Sequence, residues 1–154
     1  MYDIENYYNA STIEEAVRLL KEHPDTRVIS GGSDVLIKIR EGKMAGTSLV
    51  SIRDIKELNG ITKKENGDIY IGAGTTFSHI TNDPVIQENI PVLGEAVDQV
   101  GGPQIRNIGT IGGNICNGAV SADSAPTVFS LNALLRIEDG NNGRTVPVRD
   151  FYLG

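Results

Sequence analysis

Aromatic residues make up only 5% of this chain, and tryptophan is absent. Proteins that hold single-stranded nucleic acid stack bases on aromatic platforms, and few are available here. Basic charge is also scarce: 14 lysines and arginines face 20 carboxylates, a net charge of −6. A duplex-binding surface needs the opposite sign. The single cysteine, Cys116, forbids an internal disulfide. Nor can it alone supply the four ligands of an iron–sulfur cluster, and it is expected to be a small buried packing residue. His23 and His79 have no cysteine or carboxylate set at ligand spacing, so a metal site is not expected. No apolar run approaches the roughly 20 residues that cross a bilayer, and Met-Tyr-Asp-Ile-Glu is no signal peptide. The expectation is a cytoplasmic protein with neither a nucleic-acid partner nor a membrane span.

Glycine, by contrast, is plentiful, with 18 residues, and two clusters of it stand out. Gly31-Gly32-Ser33-Asp34 follows a short apolar strand, Arg27–Ser30, and precedes the helical segment Val35–Arg40. The longer stretch Gln104–Asp123 holds Gly109, Gly112, Gly113 and Gly118 with Asn107, Asn114 and Asn117 between them. Glycine costs about 1 kcal/mol against alanine inside a helix, so this stretch is expected to be a loop. Without a Cβ, and with positive φ accessible, its amides can converge on an anion. A backbone cradle for phosphate is the first reading, and a diphosphate held between the two loops the sharper one. For either loop alone, a plain tight turn accounts for the glycines. Neither is a P-loop, since no Gly-Lys-Ser/Thr follows, and Gly72-Ala73-Gly74 fails as a dinucleotide fingerprint because Phe77 stands where the third glycine belongs.

Asp123 suits either of two roles, accepting hydrogen bonds from sugar hydroxyls or capping the helix after it. Arg106 could neutralise a phosphate or bridge to a carboxylate on a partner. No nucleophile–base pair stands at a usable spacing, so any redox or transfer chemistry must belong to a cofactor.

The remaining pattern is mixed α and β. Ser11-Thr12-Ile13-Glu14 has capping-box spacing, and Ile13, Ala16, Val17 and Leu20 then recur at helical intervals as far as Pro24. Leu49–Ile52 reads as a strand. Ile61–Lys64 and Ile69–Ile71 flank an Asn-Gly turn, and Leu134–Ile137 and Arg144–Val148 flank Asp139–Gly143, so two hairpins are expected. Helices are expected near Phe77–Thr81, after Pro91 and over Ser124–Leu131. A boundary near Asp54 divides the chain into 1–54, a small α/β unit, and 55–154, an α+β unit with antiparallel hairpins.

Several segments together resemble the FAD-binding subunit of the molybdenum hydroxylases, the xanthine dehydrogenase family. They are Ser11–Leu20, Ile29-Ser30-Gly31-Gly32-Ser33-Asp34-Val35-Leu36, Ile71–Thr76, Gln104-Ile105-Arg106-Asn107 with Thr110–Asn114, and Asp150–Gly154. The segment Gly113–Ala119 with Ser121–Ser124 is most similar to bacterial xanthine and nicotinate dehydrogenases. The resemblance implies an α+β, two-subdomain FAD-binding fold of the vanillyl-alcohol-oxidase (PCMH-like) type. It further implies that Val28, Ile29, Ser30, Gly31, Gly32, Ser33, Asp34, Val35 and Leu36 face the FAD diphosphate and adjoining sugar from one side. Thr110, Ile111, Gly112, Gly113 and Asn114 would face it from the other. Asp123 would bind the ribityl chain, and Val100 or Gly101 would lie near the isoalloxazine. Partner subunits would carry 2Fe-2S clusters and molybdopterin, and electrons would leave through FAD to NAD or another acceptor. Members of this family normally continue into a C-terminal domain that closes over the flavin, which this sequence does not contain. The competing readings are a non-redox module for a nucleotide diphosphate and a structural adaptor.

Overall fold

The computed structural model describes residues 2–119 and 121–152. Leu153 and Gly154, the end of the last segment quoted above, lie outside them. The chain opens with strand β1 (Ile4–Asn9), helix α1 (Ile13–Glu22), strand β2 (Arg27–Ile29), helix α2 (Val35–Arg40) and strand β3 (Thr47–Ser51). The three strands form a parallel sheet in the order β1-β3-β2, so β3 is central and is the most deeply buried. Parallel pairing needs a crossover between successive strands, and α1 and α2 supply the two.

Helix α1 starts one residue later than the Ser11–Glu14 spacing predicts. Thr12 takes an extended backbone (φ −136°, ψ 162°), and its hydroxyl accepts from the Glu15 amide at 3.1 Å. The Glu15 carboxylate accepts in turn from the Ser11 N–H and hydroxyl, each at 2.8 Å. Starting at Ile13 turns Ala16 and Leu19 inward, onto Ala10, Val50 and Ile55. On the other face of the sheet, Ile29, Ile39 and Leu49 form a second small core.

A different core serves the rest of the chain. Hairpin β4 (Ile61–Lys63) and β5 (Ile69–Ile71) turns at Gly67, where φ is 91°. Four helices follow: α3 (Phe77–Asn82), α4 (Pro84–Asn89), α5 (Pro91–Asp98) and the single turn α6 (Pro103–Arg106). Two more, α7 (Ile111–Asn117) and α8 (Ser124–Ser130), precede a second hairpin, β6 (Leu134–Ile137) and β7 (Arg144–Pro147). Phe77, Ile80, Ile86, Leu93, Val97, Ile111, Ile115, Val128 and Val148 make one buried cluster, and the β4–β5 isoleucines pack on its margin. The architecture is α+β, as expected.

The central glycine stretch is not a loop. Residues Ile111–Asn117 are helical despite Gly112 and Gly113, because tertiary contacts outweigh propensity there. Thr110 caps the helix, its hydroxyl accepting from the Gly113 amide at 3.2 Å. Ile111 and Ile115 are buried in the main core, and Gly118 closes the helix at φ 62°. Cys116 differs from expectation as well. Its turn of α7 faces outward and leaves the residue exposed, although enough protein surrounds the sulfur to desolvate the thiolate and raise its pKa.

Candidate functional site

The two glycine clusters meet. Gly31 lies so close to the chain before α7 that a Cβ would land on the Ile108 carbonyl oxygen, 2.7 Å from its carbon and 3.1 Å from Gly109 Cα. The second cluster is held rigidly at that point. The Phe77 amide donates to Gly109 O at 3.1 Å, Ile111 N to Thr75 O at 3.1 Å and Gly112 N to Ala73 O at 2.9 Å. A second link joins the same regions, as Lys38 Nζ on α2 donates to Asn117 Oδ1 on α7 at 3.0 Å.

The amides decide which cluster can hold an anion. Those of Gly31, Gly32, Ser33, Asp34 and Val35 reach no acceptor among the described residues. Gly32 takes φ 77°, in the left-handed region, and successive N–H groups about such a residue can converge on an anion. In α7 the situation is reversed. Ile111 and Gly112 donate to Thr75 and Ala73, Gly113 to the Thr110 hydroxyl, and Asn114 to Thr110 O at 3.0 Å. The unspent main-chain donors therefore lie mainly in the first cluster, while the second has the unpaired N–H and hydroxyl hydrogen of the largely buried Thr110, the half-buried Asn114 side chain and the exposed Cα of Gly113. Five free amides fit the diphosphate of a dinucleotide such as FAD.

The other sequence-derived positions fall into three groups. Ile29 and Ile111 turn their side chains into the cores and can contribute only backbone. Val28 and Asp34 are exposed, Ser30, Val35 and Leu36 are half-buried, and Asp34 makes no capping hydrogen bond. Asp123 stands at the N-terminus of α8 with helical angles (φ −59°, ψ −30°), exposed and without a side-chain cap bond. Of its two suggested roles, capping is the one the geometry does not supply.

Arg106 is engaged within the chain. Its guanidinium pairs with Asp98 at 3.2 Å and donates to Gly101 O at 2.7 Å and Val100 O at 3.3 Å. It braces the turn carrying Val100 and Gly101, and no hydrogen bond among the described residues joins that turn to residues 28–36 or 110–114. Three further participants were given no role of their own by the sequence. Ala73 and Thr75 receive the α7 amides, and the Ser124 hydroxyl donates to Asn114 Oδ1 at 2.5 Å.

One concavity of about 260 Å³ sits among Thr81, Ile86, Pro91 and Gly94, and another of about 240 Å³ among Tyr8, His23, Thr26 and Ser48. Neither touches the glycine clusters. No group of histidine, cysteine and carboxylate side chains among the described residues could hold a metal ion. No helix among them is long and apolar enough to cross a membrane.

An α+β chain presenting free amides across a glycine junction, with no acid–base pair beside it, defines a class: dinucleotide-binding domains whose chemistry resides in the ligand. The comparisons narrow that class. The chain belongs to the family described as the FAD binding domain in molybdopterin dehydrogenase, whose profile matches residues 2–154. It is 40% identical over 154 residues to the xanthine dehydrogenase FAD-binding subunit of Escherichia coli O157:H7, spanning 100% of this chain and 53% of that protein. It is 37% identical over 156 residues to the nicotinate dehydrogenase FAD-subunit of Eubacterium barkeri, spanning 100% of this chain and 52% of that one. Among solved structures, the carbon monoxide dehydrogenase of Hydrogenophaga pseudoflava superposes with a TM-score of 0.95 at 32% identity, over 100% of this chain and 54% of that one. The chain spans about half the length of the curated relatives it matches.

Proposed function

We propose that this chain is the FAD-holding part of an electron-transfer subunit in a molybdenum hydroxylase, and that it serves the oxidation of an N-heterocycle of the purine or nicotinate kind. The carrying observation is the nest of free amides at Gly31–Val35, abutting Ile108–Gly109, in a chain of this family. The amides would hold the diphosphate, the Thr110 and Asn114 side chains would approach it from the facing side, and Asp123 would accept from ribityl hydroxyls. Val100 and Gly101, braced by Arg106, would flank the isoalloxazine. Bound FAD supplies the conversion of one-electron traffic into two-electron transfer, to NAD or another acceptor. The lone cysteine of this stretch cannot itself hold a 2Fe-2S cluster, and on this reading the clusters, like the molybdopterin, would sit on partner subunits. A division into units 1–54 and 55–154 is supported by the cores, since one set of buried residues serves the parallel sheet, joined by Ile55 from just past the boundary, and another serves the helices beyond it.

The test is to isolate the protein with its native partners from its source. A yellow complex that releases FAD on acid treatment, and reduces NAD or a dye with xanthine or nicotinate, is the expected result. A colourless protein that takes up no added FAD would favour the adaptor reading and overturn this one. Substrate-dependent turnover by this polypeptide free of molybdenum and iron would overturn the division of labour.

A further inference from the structure

We infer that Ser124 is a positioning residue for the diphosphate seat, acting through the Asn114 side chain; this rests on the FAD reading above. Ser124 is the first residue of α8 and is fully buried. A hydroxyl in such a place needs a partner, and it donates to Asn114 Oδ1 on α7 at 2.5 Å. That bond occupies the acceptor end of the Asn114 amide. A carboxamide is planar and carries both of its hydrogens on Nδ2, so fixing Oδ1 fixes where the donors point.

Asn114 Nδ2 makes no hydrogen bond to any acceptor among the described residues, and none of their buried side-chain nitrogens or oxygens lacks a partner. The free Nδ2 therefore faces the surface, at the helix whose own leading amides are already engaged. What Asn114 offers a ligand is a donor, suited to an anionic oxygen. With the serine hydroxyl removed, the amide is free to turn over and present Oδ1 to a phosphate, which repels it. The same bond ties α7 to the residue after Asp123, so one hydroxyl registers the two side chains that face the ligand from this side.

The inference is tested on the deflavinated native complex by titration with FAD. Ser124→Ala is expected to raise the FAD dissociation constant about 5–20-fold, the loss of one well-aligned hydrogen bond. In an Asn114→Ala background the same change should add less than about twofold, because the serine acts through the amide. Asn114→Asp leaves Ser124 untouched and should weaken FAD at least ~100-fold, by setting a carboxylate against the phosphate. An equal effect of Ser124→Ala in both backgrounds would make the serine merely structural. Undiminished affinity in Asn114→Asp would show that Asn114 offers no donor to an anion. Either outcome overturns this inference and leaves the FAD reading standing, whereas a native complex that takes up no FAD overturns both.

Discussion

A methyl group at residue 31 tests whether the two glycine clusters act as one seat. In Gly31→Ala the new carbon would overlap the Ile108 carbonyl and come within 3.1 Å of Gly109 Cα, all of them backbone atoms. Non-bonded heavy atoms settle near 3.5–4 Å, so the segments must part by roughly 1 Å or more. The far side cannot simply retreat. Ile108 N donates to Ile105 O at 3.2 Å, Gly109 N to the same oxygen at 2.6 Å, and Gly109 O accepts from Phe77 N. Overpacking of this kind costs about 1–3 kcal/mol of stability. The ligand would suffer more than the fold. Hydrogen bonds to a charged group contribute ~1.5–3 kcal/mol each, so misaligning two amides would weaken FAD on the order of 10²–10⁴-fold. Flavin fluorescence titration measures the affinity, and thermal melting of the apo form separates it from stability. Gly42→Ala is the control, because that glycine faces open space at φ 77° and its replacement should lower only the melting temperature. Wild-type FAD affinity in Gly31→Ala, with the melting temperature lowered as expected, would refute the shared seat. An unchanged melting temperature would refute the close approach itself.

Asp123→Ala should weaken FAD by about 1–3 kcal/mol with little change in melting temperature, because no cap bond is lost; a lower melting temperature at unchanged affinity would mark it as structural. Gly113→Val should block FAD while leaving far-UV circular dichroism near wild type, since its Cβ would meet only the Thr110 hydroxyl, at 2.9 Å, on an otherwise exposed face. Hydrogen bonds from Ser11 hold the Glu15 carboxyl below its usual pKa, so its stabilisation is present above the unfolded value and lost as pH falls through the folded one. Glu15→Ala should accordingly melt lower than wild type at pH 7, and the gap should close in acid. The Cys116 thiol is shifted upward by desolvation, so its share of stability is lost as pH rises past the unfolded thiol value, and Cys116→Ser should flatten that alkaline decline in melting temperature.

Both hairpins were legible because the turn residues announce them: Asn66-Gly67 joins β4 to β5, and Asp139–Gly143 joins β6 to β7. Helix α1 was legible from its capping residues and apolar spacing, α5 from apolar spacing after Pro91, and α8 from a segment that tolerates Pro126 in its first turn. Strand β1 was not. Ile4–Asn9 is an edge strand that breaks register between Ile4 and Tyr7, so its exposure does not alternate. Short α4 carries too few turns for a period to appear. The larger miss was α7, where propensity pointed to a loop and the acceptors of Ala73 and Thr75 made a helix. Those acceptors lie some 35–40 residues upstream, and no local pattern reports such a pairing. For the same reason, sequence could identify two glycine clusters but not which one keeps its amides free. The Ser124–Asn114 bond is equally a product of how α7 and α8 dock.

Several of the glycines serve close approach of chain to chain. A Cβ on Gly72 would stand 2.5 Å from the Leu58 carbonyl carbon and 2.8 Å from the Asn59 nitrogen, and one on Gly112 would stand 2.6 Å from Ala73 Cβ and 2.7 Å from its carbonyl oxygen. With Gly31 against Ile108, these abutments form a chain of backbone contacts running from the parallel sheet through the β5–α3 connection to α7. The Gly72 and Gly112 abutments each carry a hydrogen bond at or near them, Gly74 N to Leu58 O at 2.6 Å and Gly112 N to Ala73 O at 2.9 Å. The consequence for a ligand follows directly. Amides spent on this packing are lost to phosphate, and α7 spends all four of its leading ones. The 31–35 run keeps its amides because Gly31 meets Ile108 by surface alone, with no hydrogen bond between them. Rigidity on one side and unspent donors on the other are what a seat for a diphosphate requires, since donors already fixed in place need no reordering when the anion arrives.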